Sequence, residues 1–270
     1  MATSVGVITN KDKDPGHEYT ALVCEFLTGQ GVSISRENDE DLLNTDFWII
    51  LGGDGTMLRY SHIAAIHNIP LLGINLGTMG FLADAEKADG LGAISKVLKG
   101  EYKTEKRLML ESNFQLVRKS YQLKKKLKKN MLALNDVCVG SAWGLKTFSI
   151  CVNDQLLNTI RADGIIVATP TGSTAYNLSA GGPILMPGGQ MMVITPVCPH
   201  SLSTRPLVVD ANDVIRIEAH QVTPVTIDGE IIGHLEPNSG IEIQKSNYYA
   251  TTITTTSTHL YATLRRKALL

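Results

Sequence analysis

The sequence predicts two domains: an α/β N-terminal domain on an open, mostly parallel sheet, and an all-β, sandwich-like C-terminal domain. Three observations predict this. Over the first hundred residues, short apolar runs alternate with segments of helical spacing, the order that βαβ units produce. One of those runs, FWIIL at Phe47–Leu51, has no polar alternation, as expected of a strand covered on both faces. After about Lys106 the helical spacing nearly vanishes, and short strand-like runs recur between turn residues. The expected domains are residues 1–105 and 106–245.

Taken in order, Ser4–Thr9 (SVGVIT) is a short apolar strand, and Glu18–Gln30 sets Leu22, Phe26 and Leu27 at helical spacing. Val32–Ser35 is a second strand and Phe47–Leu51 a third. Met57–His67 is helical, Pro70–Asn75 (PLLGIN) a fourth strand, and Asp89–Leu98 another helix. In the second region the strand-like runs are Leu108–Val117, Met131–Val139, Thr147–Val152, Gly164–Ala168, Met192–Thr195, Leu207–Val209, Val214–Glu218, Val225–Ile227 and Gly240–Gln244. One short helix is expected there, near Ala175–Ala180. The periodicity does not place the tail, Thr254–Leu270.

The bulk composition excludes more than it selects. Of the 270 residues, 43% are hydrophobic and 19% charged, which is ordinary for a globular chain and rules out wholesale disorder. A formal net charge of −1 creates no global field for nucleic acid or a membrane surface, so an anionic ligand must be met locally. Cys24, Cys138, Cys151 and Cys198 lack C-x-x-C spacing, and the histidines form no H-E-x-x-H. Buried thiols kept reduced in a cytoplasm are the expectation. No run reaches the length of a membrane span, and MATSVGVITNKDKDP has no signal-peptide pattern. The lysine-rich stretch RKSYQLKKKLKKN (Arg118–Asn130) reads as a solvated hairpin tip, because no aromatic ladder accompanies the charge. A phosphate or nucleic-acid patch is the sharper alternative.

The chemistry concentrates where the third strand ends, in Gly52-Gly53-Asp54-Gly55-Thr56. Glycines flanking Asp54 are expected to permit positive φ and close approach of a ligand to the backbone. Thr56 is the expected N-cap of the following helix, whose free N–H groups and partial positive charge suit phosphate. The carboxyl end of a parallel strand is where open α/β sheets bind ligands. Arg59 adds a full charge in the first turn. A tight turn with a surface aspartate is the plain alternative. The stretch is not a P-loop, since no lysine precedes Thr56, and Leu58 breaks the G-x-G-x-x-G pattern. An aspartate at the tip suits accepting a proton from a hydroxyl, or binding a metal.

Three further clusters place polar chemistry between apolar strands. Gly73–Asp84 (GINLGTMGFLAD) combines glycines with Phe81, which either lies on a base or belongs to the core. Ala133–Gly140 (ALNDVCVG) sets Asn135 and Asp136 inside an otherwise apolar strand, where buried polar groups need partners. Asn135 matches an adenine edge and Asp136 can accept from ribose hydroxyls. The densest cluster, Arg161–Pro183 (RADGIIVATPTGSTAYNLSAGGP), gathers hydroxyls and glycines suited to a loop lining a polar ligand.

Together, GGDGT at Gly52–Thr56, the N-x-G-x-x-G-F segment at Asn75–Phe81, Asn135-Asp136 and ADG followed by TPTGSTAYNLSAGGP resemble the NAD kinase family. CPHSLSTRPLVV (Cys198–Val209) and TIDGE (Thr226–Glu230) extend the match, in the same order, across nearly the whole chain. GGDGT alone is shared with lipid kinases; the Asn135-Asp136 pair and the TPTGSTAYN loop are more specific. The resemblance implies transfer of the ATP γ-phosphoryl to the adenosine 2′-hydroxyl of NAD, with Mg²⁺ or another divalent cation accompanying ATP. It implies that the tail, 246–270, packs back on the first domain, and that the chain forms a homo-oligomer, a dimer or tetramer.

The same resemblance implies residue roles. Asp54 is the catalytic base, beside Gly55, with Phe81 near the adenine. Asn135 and Asp136 contact the dinucleotide, as do Thr171, Thr174, Ala175, Tyr176, Asn177, Leu178 and Ser179. Arg161 and Asp163 serve the nicotinamide half, from the same subunit or across a subunit interface, while Lys146 and Glu230 align more loosely. Gly52, Gly53, Gly55, Thr56 and Arg59 meet the ATP phosphates. Many family members carry Asn-Glu where this chain has Asn135-Asp136, and glutamine at the Glu230 position. Two other functions compete: a lipid kinase using the same loop, and a regulator that holds NAD or NADP without turnover.

Overall fold

The computed structural model describes residues 4–78, 80–115, 131–140, 144–255 and 259–267, so the lysine-rich stretch 118–130 lies outside the described residues. The first elements are β1 (Ser4–Thr9), α1 (Glu18–Gly29), β2 (Ser33–Arg36), β3 (Phe47–Gly52), α2 (Asp54–His67), β4 (Leu71–Asn75), β5 (Ala85–Glu86) and α3 (Gly90–Leu98). There follow β6 (Lys103–Gln115), β7 (Met131–Ala133), β8 (Asp136–Gly140), β9 (Lys146–Val152), β10 (Gln155–Ala162), β11 (Gly164–Ala168) and α4 (Tyr176–Ser179). The chain closes with β12 (Met191–Val197), β13 (Leu207–Asp210), β14 (Ile215–Ala219), β15 (Thr223–Ile227), β16 (Glu230–Leu235), β17 (Ser239–Thr254) and α5 (His259–Arg266). Two compact units result, residues 1–106 with 249–270, and residues 107–248. Among the described residues no helix is long and apolar enough to cross a membrane.

In the first unit, β4, β3, β1 and β2 lie side by side, all parallel. On the other edge of β4, Thr252 pairs in parallel with Leu71, which brings the end of β17 into this sheet. The central strand β3 is buried at every position, the physical reason for its unbroken apolar run. One face of the sheet packs Val5, Ile49, Leu72 and Ile253 against Val23 and Leu27 of α1 and Ile94 of α3. On the alternate positions, Trp48 meets Tyr60 of α2 edge to face at 6.3 Å. Helices on both faces of a parallel sheet make this an α/β unit.

The second unit is antiparallel. β10, β9, β14 and the first part of β17 form one sheet. β13, β12, β11, β8, β15 and β16 form another. Phe148, Ile150 and Ile217 of the first meet Val137, Ile165 and Ile194 of the second in one core. That is a sandwich.

Several boundaries differ from expectation. The second helix begins at Asp54, not Met57, so Asp54 sits in its first turn. The expected strand Met131–Val139 is two strands, broken at Leu134 and Asn135. β10 and β16 carry no apolar–polar alternation and were not expected. Both follow tight turns with consecutive positive φ angles, at Asn153-Asp154 and at Asp228-Gly229.

Candidate functional site

Polar side chains gather in two clusters, one in each unit. In the first, β3 delivers its backbone to Gly53, the N-cap residue of α2. Thr56 is not the N-cap; its buried hydroxyl instead accepts a hydrogen bond from Asn10 Nδ2 at 3.0 Å. The Gly53 carbonyl takes the first helical amides, from Thr56 at 3.0 Å and Met57 at 3.1 Å.

The glycines around Asp54 serve space rather than dihedral freedom. Gly52, Gly53 and Gly55 are all absent from the positive-φ residues, which corrects the expectation of left-handed backbone here. A Cβ on Gly52 would overlap the Thr56 side chain, whereas one on Gly55 would meet nothing within 4 Å. Gly55 therefore leaves the helix start open to a ligand.

Asp54 itself is held in place. Its Oδ2 accepts from the Phe81 amide at 2.8 Å and its Oδ1 from the Leu82 amide at 3.0 Å. Gly80 lies so close that a Cβ there would overlap the carboxylate. The connection from β4 reaches this position through Asn75, whose buried amide bridges to both the N–H and the C=O of Gly77 at 3.2 and 3.0 Å. Each carboxylate oxygen engaged by one amide keeps a lone pair for another donor. In front of Asp54 lies a cavity of about 210 Å³, bordered by Gly53, Asn75, Gly80, Lys13 and Lys267. Phe81 is half-buried, with the Lys267 ammonium 4.9 Å from its ring centre.

Arg59 is exposed and turns away from that cavity. Its guanidinium lies 5.6 Å from the Tyr60 ring, in a second cavity of about 510 Å³ that also borders Gly55, Thr56, Asn10 and Lys11. The Tyr60 hydroxyl donates to Glu37 in a short hydrogen bond. Burial, reinforced by that bond and the charge of Glu37, pushes the phenol up to about 12.

In the second unit the break between β7 and β8 has a specific cause. Asp228, in the Asp228-Gly229 turn between β15 and β16, accepts three consecutive amides. Its Oδ2 takes Leu134 N–H at 2.9 Å, and its Oδ1 takes Asn135 and Asp136 N–H at 2.7 and 3.1 Å. The Asp228 amide returns a bond to the Asp136 carbonyl at 3.0 Å. A single carboxylate thus replaces the ladder bonds lost at the bend, and fixes the backbone of Asn135 and Asp136. The Asp136 carboxyl is buried, and burial together with the nearby Asp228 charge pushes it up to about 7.

The loop after β11 packs on this bend. Thr169 N–H donates to Asn135 O at 2.8 Å, and Thr169 Oγ1 donates to Leu134 O at 2.6 Å. A Cβ on Gly172 would overlap the Asn135 carbonyl, so glycine sets how closely loop and bend approach. Asn177 is fully buried: its Nδ2 donates to the carbonyls of Ser173 and Pro183, each at 3.0 Å, and its Oδ1 accepts from Thr195 at 2.6 Å. That amide holds the loop from within. The Thr171 hydroxyl is buried without a hydrogen-bond partner among the described residues. Thr174, Ala175 and Leu178 are half-buried, and Tyr176 and Ser179 are exposed.

Tyr176 lies within electrostatic reach of Cys138, Cys198, Asp136 and Asp163, and partial desolvation of its hydroxyl, with these neighbours, raises its phenol although the residue as a whole is exposed. Burial, then the Asp136 charge, pushes the Cys138 thiol up to about 12, so it stays protonated. Asp163, half-buried, donates its amide to Val197 O at 2.9 Å, and exposed Arg161 accepts at its carbonyl from the His200 amide at 2.9 Å. Lys146 pairs with Ala162 at the far end of the β9–β10 hairpin. Glu230 is exposed and directly follows the Asp228-Gly229 turn. Among the described residues no group of three or more His, Cys, Asp and Glu side chains is arranged to hold a metal ion.

Sequence reasoning missed Asp228, Lys13 and Lys267. Asp-Gly between two apolar runs is a hairpin signal, but nothing local says that its carboxylate binds residues more than ninety positions earlier.

The chain matches the family model described as ATP-NAD kinase N-terminal domain at residues 38–102, and that described as ATP-NAD kinase C-terminal domain at residues 134–255. It is 38% identical over 283 aligned residues to the NAD kinase of Caldanaerobacter subterraneus subsp. tengcongensis, covering 97% of this chain and 98% of that one. Against the NAD kinase of Clostridium perfringens it is 34% identical over 278 residues, with 98% of each covered. Among solved structures, an NAD kinase from Archaeoglobus fulgidus in complex with ATP superposes with a TM-score of 0.79 at 27% identity, covering 97% of this chain and 98% of that one. Yeast NADH kinase complexed with NADH gives 0.80 at 25% identity, covering 99% and 88%.

Proposed function

The chain belongs to the NAD kinase family, and on that premise we propose that Asp54 is the base of its reaction. The enzyme transfers the γ-phosphoryl of ATP to the 2′-hydroxyl of the adenosine ribose of NAD, giving NADP and ADP. The observation that carries the role of Asp54 is its restraint: two amides orient the carboxylate, at a helix start beside a cavity, and each oxygen keeps a lone pair. As the ribose oxygen bonds to the γ-phosphorus, the phosphorus–oxygen bond to ADP breaks, and ADP departs with that electron pair. The hydroxyl proton passes to Asp54. Base assistance of this kind contributes about 10²- to 10⁴-fold.

The backbone of Gly52, Gly53, Gly55 and Thr56 faces the donor phosphates, and Arg59 adds its charge from the second cavity, which it borders with Gly55 and Thr56. Asn135 reads the adenine edge and Asp136 the ribose hydroxyls, on a bend that Asp228 fixes. Phe81 lies by the adenine. Thr171, Thr174, Ala175, Tyr176, Leu178 and Ser179 line the dinucleotide, with Asn177 holding their loop. Arg161, Asp163, Lys146 and Glu230 serve its remaining contacts. A single carboxylate with free lone pairs, and no three-ligand cluster among the described residues, fits a hard cation that arrives on phosphate oxygens. When bound, Mg²⁺ or another divalent cation neutralises charge on the transferring phosphoryl group.

The reading extends to a cytoplasmic homo-oligomer, a dimer or tetramer. Four free cysteines support a reducing compartment, although only Cys138 is buried as expected, with Cys24 and Cys151 half-buried and Cys198 exposed. Exposed apolar side chains on outer strands, Leu156 on β10 and Ile231 on β16, support self-association. A coupled assay with ATP and NAD, run beside a lipid acceptor and a no-ATP control, tests the function. ATP-dependent NADP formation is expected; lipid phosphorylation, or NAD binding without turnover, refutes it.

A further inference from the structure

The turn at Gly52–Thr56 has no lysine of its own, yet the cavity in front of Asp54 has two, drawn from opposite ends of the chain. Lys13 comes from the segment after β1. Its amide donates to Asn10 O at 3.1 Å. The next residue, Asp14, is buried and accepts from the amides of Tyr19 and Thr20 at 3.2 and 2.9 Å and from the Thr20 hydroxyl at 2.6 Å. The backbone on both sides of Lys13 is thus pinned. Its ammonium lies over Gly77, where a Cβ would approach Nζ to 3.1 Å.

Lys267 ends the last helical turn, with its amide donating to Thr263 O at 3.0 Å. The segment leading to it is anchored by Asp84, which accepts from the Thr255 amide at 3.1 Å and the Thr255 hydroxyl at 2.6 Å. Asp84 lies three residues beyond Phe81, so the same loop that holds Asp54 also fixes the start of the tail. The Phe81 ring supports the Lys267 ammonium. Among the described residues neither lysine forms an ion pair with a carboxylate.

We propose that Lys13 and Lys267 form a subsite for the terminal phosphates of the donor, a polyphosphate chain bordered on a third side by Asp54. The inference rests on reading Asp54 as the base of a phosphoryl transfer. Two full positive charges and the amides at the start of α2 outweigh the single Asp54 charge, so a chain of phosphates meets a net attractive field. At about 210 Å³ the cavity is smaller than a whole-ligand pocket, which begins near ~300 Å³, and suits phosphates alone. The aspartate is what distinguishes the cavity from a plain anion trap: it repels a phosphate that drifts toward it and leaves that wall for the acceptor hydroxyl.

Inorganic triphosphate and ATP, each titrated by calorimetry at low and at moderate salt, test this on the wild type, Lys13→Met, Lys267→Met and the control Lys99→Met. Methionine keeps most of the stem and removes the charge. Each site variant is expected to weaken both ligands about five- to twentyfold and to flatten the salt dependence, while the control changes neither. The KM for ATP should rise in parallel, with NAD affinity within twofold of wild type. Unchanged triphosphate and ATP binding overturns the subsite, and so does an equal loss for NAD, which would make the lysines props of the loop. Should the wild type fail to phosphorylate NAD yet bind triphosphate through these lysines, the subsite stands and the reaction reading falls. If NAD is phosphorylated and the lysines are dispensable, only the subsite falls.

Discussion

Replacing Asp228 by alanine removes the acceptor of three successive amides, those of Leu134, Asn135 and Asp136. A hydrogen bond to a charged acceptor contributes about 1.5–3 kcal/mol, so three independent ones would total roughly 4.5–9 kcal/mol. They are not independent. All three end on one carboxylate, and once the first is lost the bend can relax toward water at the adjacent Asp228-Gly229 turn, so a loss of about 3–5 kcal/mol is the expected value. Removing the Asp228 charge also relieves the repulsion that helps raise the Asp136 carboxyl, which returns a small part of that cost. Urea unfolding followed by circular dichroism reads the stability, and calorimetry with NAD reads the site. NAD affinity should fall more than tenfold, because Asn135 and Asp136 lose their fixed backbone. Asp228→Asn belongs in between: its carbonyl oxygen still accepts, but its NH₂ faces an amide donor. A stability loss below about 1 kcal/mol with unchanged NAD affinity would refute the clamp.

Three other outcomes are expected. Asp54→Asn should lower turnover at least about 10²-fold in the coupled assay, since it removes the proton acceptor and sets an NH₂ against the Phe81 or Leu82 amide; near-wild-type turnover would remove Asp54 from catalysis. Gly80→Ala forces its Cβ into the Asp54 carboxylate and should cost about as much turnover although Asp54 itself remains, with NAD binding measured separately to exclude a loss of the whole site. The Asp136 carboxyl is raised in the fold from an ordinary 3.8 to about 7, so the folded state holds a proton that the unfolded chain has released between about pH 4 and pH 7. Its contribution to stability is therefore full below about pH 4 and is lost as pH rises to 7, at up to about 1.4 kcal/mol per pH unit. Urea midpoints at pH 5 and pH 7 should differ less in Asp136→Asn than in the wild type, and an equal difference would contradict the assigned shift.

What the sequence reveals depends on whether the cause is local. β3 is legible because a strand buried on both faces needs apolar residues at every position, and Phe47–Leu51 supplies them. β10 is not, because it is the outer strand of its sheet, where even the adjacent Leu156 and Leu157 are exposed and nothing enforces alternation. The turn before it, Asn153-Asp154, was the usable signal, as Asp228-Gly229 was for β16. The break at Leu134-Asn135 is illegible for another reason. Apolar residues on both sides read as one strand, and the carboxylate that bends it comes from residue 228.

The same division runs through the site. Asp54 stands out because three glycines and an apolar strand frame it within a few residues, yet the glycine that touches its carboxylate is Gly80, twenty-six positions later. The residues that make a carboxylate useful as a base are those that limit its freedom. Left on a flexible tip, Asp54 would sample orientations in which neither oxygen meets the acceptor; two amides and a glycine-wide gap confine it to one. Confinement of that kind needs a second chain segment, and here the Asn75–Leu82 connection supplies it, itself tied to the tail through Asp84 and Thr255. Removing the tail from Thr255 onward should therefore loosen Asp54 twice over, through the lost tie to Asp84 and through the loss of Lys267 from the cavity in front of it.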